Sequence, residues 1–388
     1  MSATTLDISS VRQQFPALAS STAFLDAPAG TQVPSSVIEA MASNLEHANA
    51  NLGGVFAASR RSAAVVARAR ASMAAFVGGT ADEIGFGANM TTLNFSLSRA
   101  AARTFGPDDE IVVTRIDHDA NIAPWLHLAR DLGMTVRFVD VHTPACTIDF
   151  DDLERAVGPR TRVVAFPWSS NAVGTTTDVV RVVELAHDAG ALAWIDAVHH
   201  APHGPIDVER VGADVLLCSP YKFFGPHLGV FYARRSVVES WDAYKVRPAP
   251  DEPVGQRFES GTLPHEAIAG LTAAIDYLES LGWDAIRSHE EQLAEAFLAR
   301  LPEPYRLYGV RGTSGRVPTF ALTHPTLPAG AVATALAERD ISVWHGDYYA
   351  PEIMARLKLA DGAVRIGFVH YNTLGEVERV LAALRCLL

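Results

Sequence analysis

With 388 residues, 48% of them apolar and 20% charged, the chain can bury a sizeable core and is not disordered; its length suits two domains, one of them large. A formal net charge of −12 argues against nucleic-acid or anionic-membrane partners, which need a basic face. Cys146, Cys218 and Cys386 lie far apart with no CxxC spacing, so neither a zinc site nor a disulfide framework is indicated, and a reducing cytoplasm is expected.

The opening stretch MSATTLDISSVRQQFPAL has no basic segment followed by an apolar one, so a secretory signal is not expected. Ile8, Val11 and Phe15 fall on one helical face instead, and residues 1–20 are expected to pack on the smaller domain. No apolar run is long enough to span a bilayer. FGANMTTLNFSLSRA (86–100) changes from a short strand into a helix. Asn89, Met90, Thr91 and Thr92 fall at its N-terminus, where free N–H groups and the helix dipole attract phosphate. Threonine and asparagine also cap helices that bind nothing.

Six short runs follow that are apolar and rich in β-branched residues. They are EIVVTR (110–115), TVRFVD (135–140), TRVVAFP (161–167), ALAWID (191–196), DVLLCS (214–219) and GVFYAR (229–234). Such runs suit strands buried on both faces. Between two of them, DVVRVVELAHDAG places Val179, Val182, Val183 and Ala186 at helical spacing, with Asp178 as N-cap and Gly190 as C-cap. This βαβ rhythm predicts a mostly parallel sheet with helices on both faces. RPAPDEPVGQRF (247–258) reads as a long exposed loop. A second unit follows: the amphipathic helix WDAIRSHEEQLAEAFLARL, the strand-like VPTFALT (317–323) and AVRIGFVHY (363–371), and the closing helix TLGEVERVLAALRCLL. The expected division is a large domain over 21–275 and a smaller α+β domain over 276–388.

Polar residues stand just after the strands. His118, Asn171, Asp196 and Lys222 follow four of them, and the carboxyl ends of strands in open α/β sheets are where ligands sit. Lysine is hard to bury unless paired or chemically altered, and one that readily loses its charge forms Schiff bases. An acid such as Asp196 could pair with a protonated ring nitrogen, or cap a helix. His118 could stack on a flat ring, Asn171 and His199 could bond a ring hydroxyl, and Arg365 could hold a carboxylate with two bonds. Each also has a purely structural reading.

In order along the chain, DHDAN, SNAVGT, DAVHH, CSPYKFFGP, ESGTLP and VRIGFVHYNT resemble the class V aminotransferase-fold enzymes, nearest the cysteine desulfurase-like and selenocysteine lyase-like branch. The resemblance runs from FLDAPAG (24–30) to the last helix. It implies a fold-type I α/β enzyme with a mostly parallel sheet of the seven-stranded type. It also implies bound pyridoxal 5'-phosphate, an L-amino-acid substrate and a homodimer. By motif position Lys222 would be bonded to the cofactor, Asp196 would face the pyridine nitrogen and His118 would stack on the ring. Asn171 and His199 would lie near the ring hydroxyl, where desulfurases usually have glutamine in place of His199. Met90, Thr91 and Ser219 would hold the phosphate, Thr262 would reach the partner subunit's phosphate site, and Arg365 would grip the substrate carboxylate.

One departure bears on the reaction. Desulfurases use a loop cysteine to take up sulfur, and the matching stretch VWHGDYYAPEI (343–353) has none; Tyr349 stands about where the thiol would be. His345, Asp347, Tyr348 or Tyr349 could serve as acid there, with His345, Tyr348 and Tyr349 as substrate contacts. The expected reaction is of C–S lyase type, with epimerisation, decarboxylation or carbon–carbon bond formation as alternatives on the same scaffold. A different class would be a metal-dependent hydrolase using His199, His200 and His203 of HHAPH with His345 and Asp347.

Overall fold

The computed structural model describes residues 6–388. Its centre is a sheet of seven strands: β1 (Ile84–Gly87), β2 (Glu110–Thr114), β3 (Thr135–Val139), β4 (Thr161–Pro167), β5 (Leu192–Asp196), β6 (Val215–Cys218) and β7 (Gly229–Ala233). Their order across the sheet is β1-β7-β6-β5-β4-β2-β3. All neighbours from β6 to β3 are parallel, and β7 runs antiparallel to both β1 and β6. β2, β6 and β7 are buried along their whole length, as unbroken apolar runs require when helices cover both faces. Edge strand β3 is only half-buried, and its Arg137 pairs with Glu110 of β2, a charge on an open edge.

This order explains how the site is assembled. TVRFVD separates two of the motif-bearing strands in sequence, yet as β3 it lies outside β2 at the sheet edge. β6, β5, β4 and β2 are therefore consecutive neighbours; Asp196 at the end of β5 and Lys222, Asn171 and His118 in the loops after the others meet at one edge.

Helices α1 (Ser35–His47), α2 (Ala57–Val77), α3 (Met90–Ala101) and α4 (Val179–Asp188) belong to this part of the chain, with α5 (His265–Leu281) packed on α1 and α2. In α4 the apolar stripe Val179, Val182, Val183 and Ala186 is buried, and Asp178 accepts the N–H of Arg181. The helix closes at Ala189, with Gly190 following in the left-handed conformation at φ +73°.

The smaller C-terminal domain holds α6 (Trp283–Leu298) and an antiparallel sheet of β8 (Arg306–Tyr308), β9 (Thr319–Thr323), β10 (Trp344–Gly346) and β11 (Ala363–Gly367), ordered β8-β9-β11-β10. Phe297, Phe320 and Phe368 form an aromatic knot in its core, beside Val377 and Leu381 of α7 (Leu374–Arg385). A reciprocal Thr373–Glu376 cap starts α7. Near the N-terminus, Arg12 bonds Tyr371 O at 2.9 Å and Glu376 at 3.1 Å, and residues Ala23–Phe24 pair in parallel with Ile341–Ser342.

The segment 247–258 is less exposed than its composition suggests. Val254 and Phe258 are buried. Gly255 lies so close to β1 that a side chain would overlap the Ile84 carbonyl, so the loop end is pinned on the sheet.

Candidate active site

A cavity of about 730 Å³ opens at the carboxyl ends of β2, β4, β5 and β6. One wall is the start of α3, where Asn89 accepts the N–H of Thr92 at 2.8 Å and Met90 and Thr91 line the space. Gly229 of β7 lets the Asn89 backbone pass directly over the sheet; a Cβ there would overlap it.

Lys222 ends a short turn after β6 that Pro220 starts. Its neighbours explain why the turn is fixed. Phe223 stacks on Phe76 of α2 at 5.2 Å, and Phe224 sits at φ +68° among Phe15, Tyr277, His370 and Tyr371. Burying each phenylalanine contributes about 1.5–3 kcal/mol. Lys222 Nζ donates to Pro28 O at 2.6 Å. Burial pushes its pKa down to about 7; Arg365 adds to that, and Asp196 and Asp26 oppose it. Near neutral pH much of Lys222 is therefore free amine, able to accept a proton.

Asp196 closes β5 with one oxygen on Val198 N–H at 2.8 Å, and burial raises its pKa to about 6. Asp117 is buried nearby and accepts from His118 N at 2.9 Å and Asn121 Nδ2 at 2.7 Å. Burial and the Asp196 charge hold it well above the usual carboxylate range. His118 Nδ1 accepts the Ala120 N–H at 2.9 Å, so in the neutral ring the proton is on Nε2. Burial lowers its pKa to about 4, and its ring stacks on Tyr349 with centroids 5.7 Å apart.

Arg365, on β11, reaches across from the smaller sheet. Its Nη1 donates to Asn171 O at 2.8 Å and its guanidinium lies 4.3 Å over the Tyr348 ring. Nε has no protein partner. Burial lowers its pKa to about 10, which leaves it cationic. Asn171 donates Nδ2 to Tyr348 O at 2.9 Å, and its Oδ1 has no partner. His199 is buried, with Nε2 2.9 Å from Thr319 Oγ1, and burial drives its pKa well below normal.

Tyr348 and Tyr349 are successive non-glycine residues in the left-handed region, at φ +58° and +54°. Such backbone costs roughly 1–2 kcal/mol per residue. Asn171 Nδ2 and Asp119 N–H hold the two carbonyls in place. The Tyr348 hydroxyl donates to Ala363 O, so its proton is not aimed into the cavity. Tyr349 is 74% exposed at the rim beside Trp344, His345 and Asp347.

Of the residues singled out from sequence, Met90, Thr91, His118, Asn171, Asp196, His199, Ser219, Lys222, His345, Tyr348, Tyr349 and Arg365 all line this one cavity. Thr262 does not; it is exposed in the loop before α5. The HHAPH histidines bond different partners: His199 meets Thr319, His200 stacks on Trp168 at 4.7 Å, and His203 bonds Glu290 at 2.8 Å. Among the described residues no group of three or more His, Cys, Asp or Glu is arranged to hold a metal ion. Cys146 and Cys218 are buried, Cys386 is exposed in the last residues, and none borders the cavity. Two acids near Asp196 and Lys222 do not stand out in the sequence, Asp117 and Asp26. The first is one residue before His118; the second lies in FLDAPAG, bridges to Gly367 and has one orphaned oxygen.

Residues 23–380 match the class-V aminotransferase family. The chain is 32% identical to the aminotransferase-like protein FGM3 of Gibberella zeae, covering all of both chains. It is also 32% identical to a probable cysteine desulfurase 2 of Mycobacterium leprae, over 98% of this chain and 97% of that protein. Its structure superposes on the apo cysteine desulfurase of Thermococcus onnurineus NA1 with a TM-score of 0.94 at 28% identity, covering 100% and 99% of the two chains.

Proposed function

The chain belongs to the class V aminotransferases, a family of pyridoxal-phosphate enzymes, and on that premise we propose that it breaks a bond at Cα or Cβ of an L-amino acid in a C–S lyase-type reaction that does not load sulfur onto a thiol of its own. The observation that carries this reading is a single cavity containing Lys222, Asp196 and Arg365 with no cysteine in its wall.

The residues present suit the cofactor. The start of α3 with Thr91 and Ser219 offers donors to a phosphate, and the buried Asp196 offers a carboxylate to a ring N–H. Asn171, with a spare amide hydrogen, and His199 would share the ring hydroxyl. When bound, pyridoxal phosphate supplies an electron sink that allows a bond at the substrate's Cα to break heterolytically. Lys222 takes the Cα proton as general base and returns one later. Asp196 would keep the ring nitrogen's positive charge paired. His118 would offer its face to the ring. Arg365 grips the carboxylate through the donors that Asn171 does not use, its plane fixed by Tyr348. Tyr349 or His345 supplies the leaving group's proton, since the Tyr348 hydroxyl is committed to Ala363 O.

Thr262 belongs in the same proposal as a residue that serves the phosphate site of a second copy in a cytoplasmic homodimer, which accounts for its distance from its own cavity. The proposed units are residues 21–275 and 276–388, with residues 1–20 on the latter; residues 1–5 of that segment lie outside the described structure. The Arg12–Glu376 pair supports this arrangement. Among the described residues no helix is long and apolar enough to cross a membrane.

The test is a screen of L-amino acids and their sulfur and selenium derivatives on the purified protein, reading sulfide, selenide, alanine, pyruvate and carbon dioxide. Sulfide or selenide released with pyruvate and ammonia, without a protein-bound persulfide, is the expected result. A persulfide on one of the three cysteines overturns it. A second reading is favoured by the breadth of the cavity and the rim aromatics Trp344, Tyr349 and Phe95, which exceed what cysteine needs: decarboxylation, epimerisation or carbon–carbon bond formation on a larger amino acid. Carbon dioxide release, loss of stereochemistry at Cα or a coupled product would favour it.

A further inference from the structure

His199 is held from behind by groups that do not touch the cavity. Thr319 of β9 bonds its Nε2, and its ring meets that of His203 edge to face, 5.8 Å between centroids at 69°. His203 Nδ1 lies 2.8 Å from Glu290 Oε2 on α6. A carboxylate only accepts, so His203 Nδ1 carries the proton of that bond and the ring cannot flip without losing it. The two side chains are 5% and 4% exposed. Both face a second cleft of about 340 Å³ on the far side of HHAPH. Glu290 Oε1 finds no donor in the protein. A buried carboxylate left half unpartnered is a poor fastener, but it is an effective means of pinning a proton on a neighbouring imidazole.

We propose that the His203–Glu290 pair is a positioning device for His199, holding its ring uncharged and in one orientation so that its remaining nitrogen, Nδ1, serves the cofactor's ring oxygen. This rests on the pyridoxal-phosphate reading of the cavity. Burial disfavours a proton on His199, and the neighbouring basic side chains of His203, Arg365, Lys222 and His200 act in the same sense. Thr319 and Glu290 belong to the C-terminal domain, whereas both histidines sit in the turn after β5. The device therefore makes the cofactor's electronic state depend on how the smaller domain is seated.

Two measurements on the full-length protein test this, using E290Q and H203Q, with E291Q as a control that removes the neighbouring exposed charge. In the cofactor-free protein, the His199 ring-proton NMR signal, assigned by its loss in His199→Gln, is expected not to titrate between about pH 5 and 8. In E290Q and H203Q it is expected to shift and to titrate or split, while E291Q leaves it in place. In the cofactor-loaded protein, the pH midpoint of visible absorbance is expected to move by about half a unit or more in E290Q with cofactor still bound, E290D restoring part of the shift. An ordinary imidazole titration for His199 in the unaltered protein overturns the proposal. So do E290Q and H203Q variants that match the unaltered protein in both measurements. A protein with no visible band at all refutes the cofactor reading instead, and the NMR arm still decides the role of the pair.

Discussion

Lys222 shows how one side chain's environment sets its chemistry. Burial and the Arg365 charge loosen its proton at neutral pH, and Asp196 and Asp26 only partly offset them. Lys222→Ala is expected to abolish the absorbance band of the lysine-bound cofactor and lower turnover by about 10²–10⁴-fold, read by spectrophotometry and steady-state kinetics. The same burial has a consequence for the cofactor-free protein. Its folded pKa of about 7 lies below the unfolded value near 10.5, so between those values the unfolded chain binds more protons and stability rises with pH. The melting temperature of the cofactor-free protein should therefore climb from pH 7 towards 10 more steeply than that of Lys222→Met. Arg365→Lys keeps the charge but not the flat two-bond geometry; it is expected to raise KM about 10–100-fold, with loss of roughly 1.5–3 kcal/mol of charged hydrogen bonding.

At the scale of elements, the strands were readable because both-face burial leaves an unbroken apolar run and the polar residues after each run stood out against it. Asp117 was not readable in this way. A second buried acid beside Asp196 depends on the packing of two neighbouring loops, and its sequence neighbours give no period to detect. Glu290 left a faint trace: it falls on the buried stripe of α6 with Ile286, Leu293 and Phe297, where an acid is out of place. Its twin Glu291 faces solvent, and only that periodicity separates them. The prolines and charges of 247–258 predict an exposed loop, while the close approach of Gly255 to β1 depends on tertiary packing. Gly255→Ala is expected to cost about 1–3 kcal/mol in denaturant unfolding, through overlap with the Ile84 carbonyl, despite lying in a loop.

For the whole molecule, the N-terminal segment, the Lys222 turn, α5 and the strand end after β11 meet in one aromatic cluster: Phe15, Phe224, Tyr277, His370 and Tyr371. His370 bonds the Tyr277 hydroxyl at 2.6 Å, and burial lowers its pKa to about 3. Its unfolded value is near 6.5, so keeping it neutral costs nothing above that pH, and stability is lost as pH falls from 6.5 towards 3. His200, also near 3, acts in the same direction. Unfolding monitored by circular dichroism should show acid sensitivity beginning near pH 6, reduced in His370→Gln. Nothing in the sequence marks this junction, because the aromatic partners of Phe15 lie more than 200 residues away.

The Arg365 guanidinium is docked on the Asn171 carbonyl before any amino acid arrives. The two halves of the protein are thus already latched at the point where a carboxylate would land, and capture requires little rearrangement of the framework. Encounter should then be governed by passage beneath the tyrosine and tryptophan at the entrance, so that viscosity and the bulk of the incoming molecule, rather than a slow swing of one half against the other, set how quickly the cavity fills.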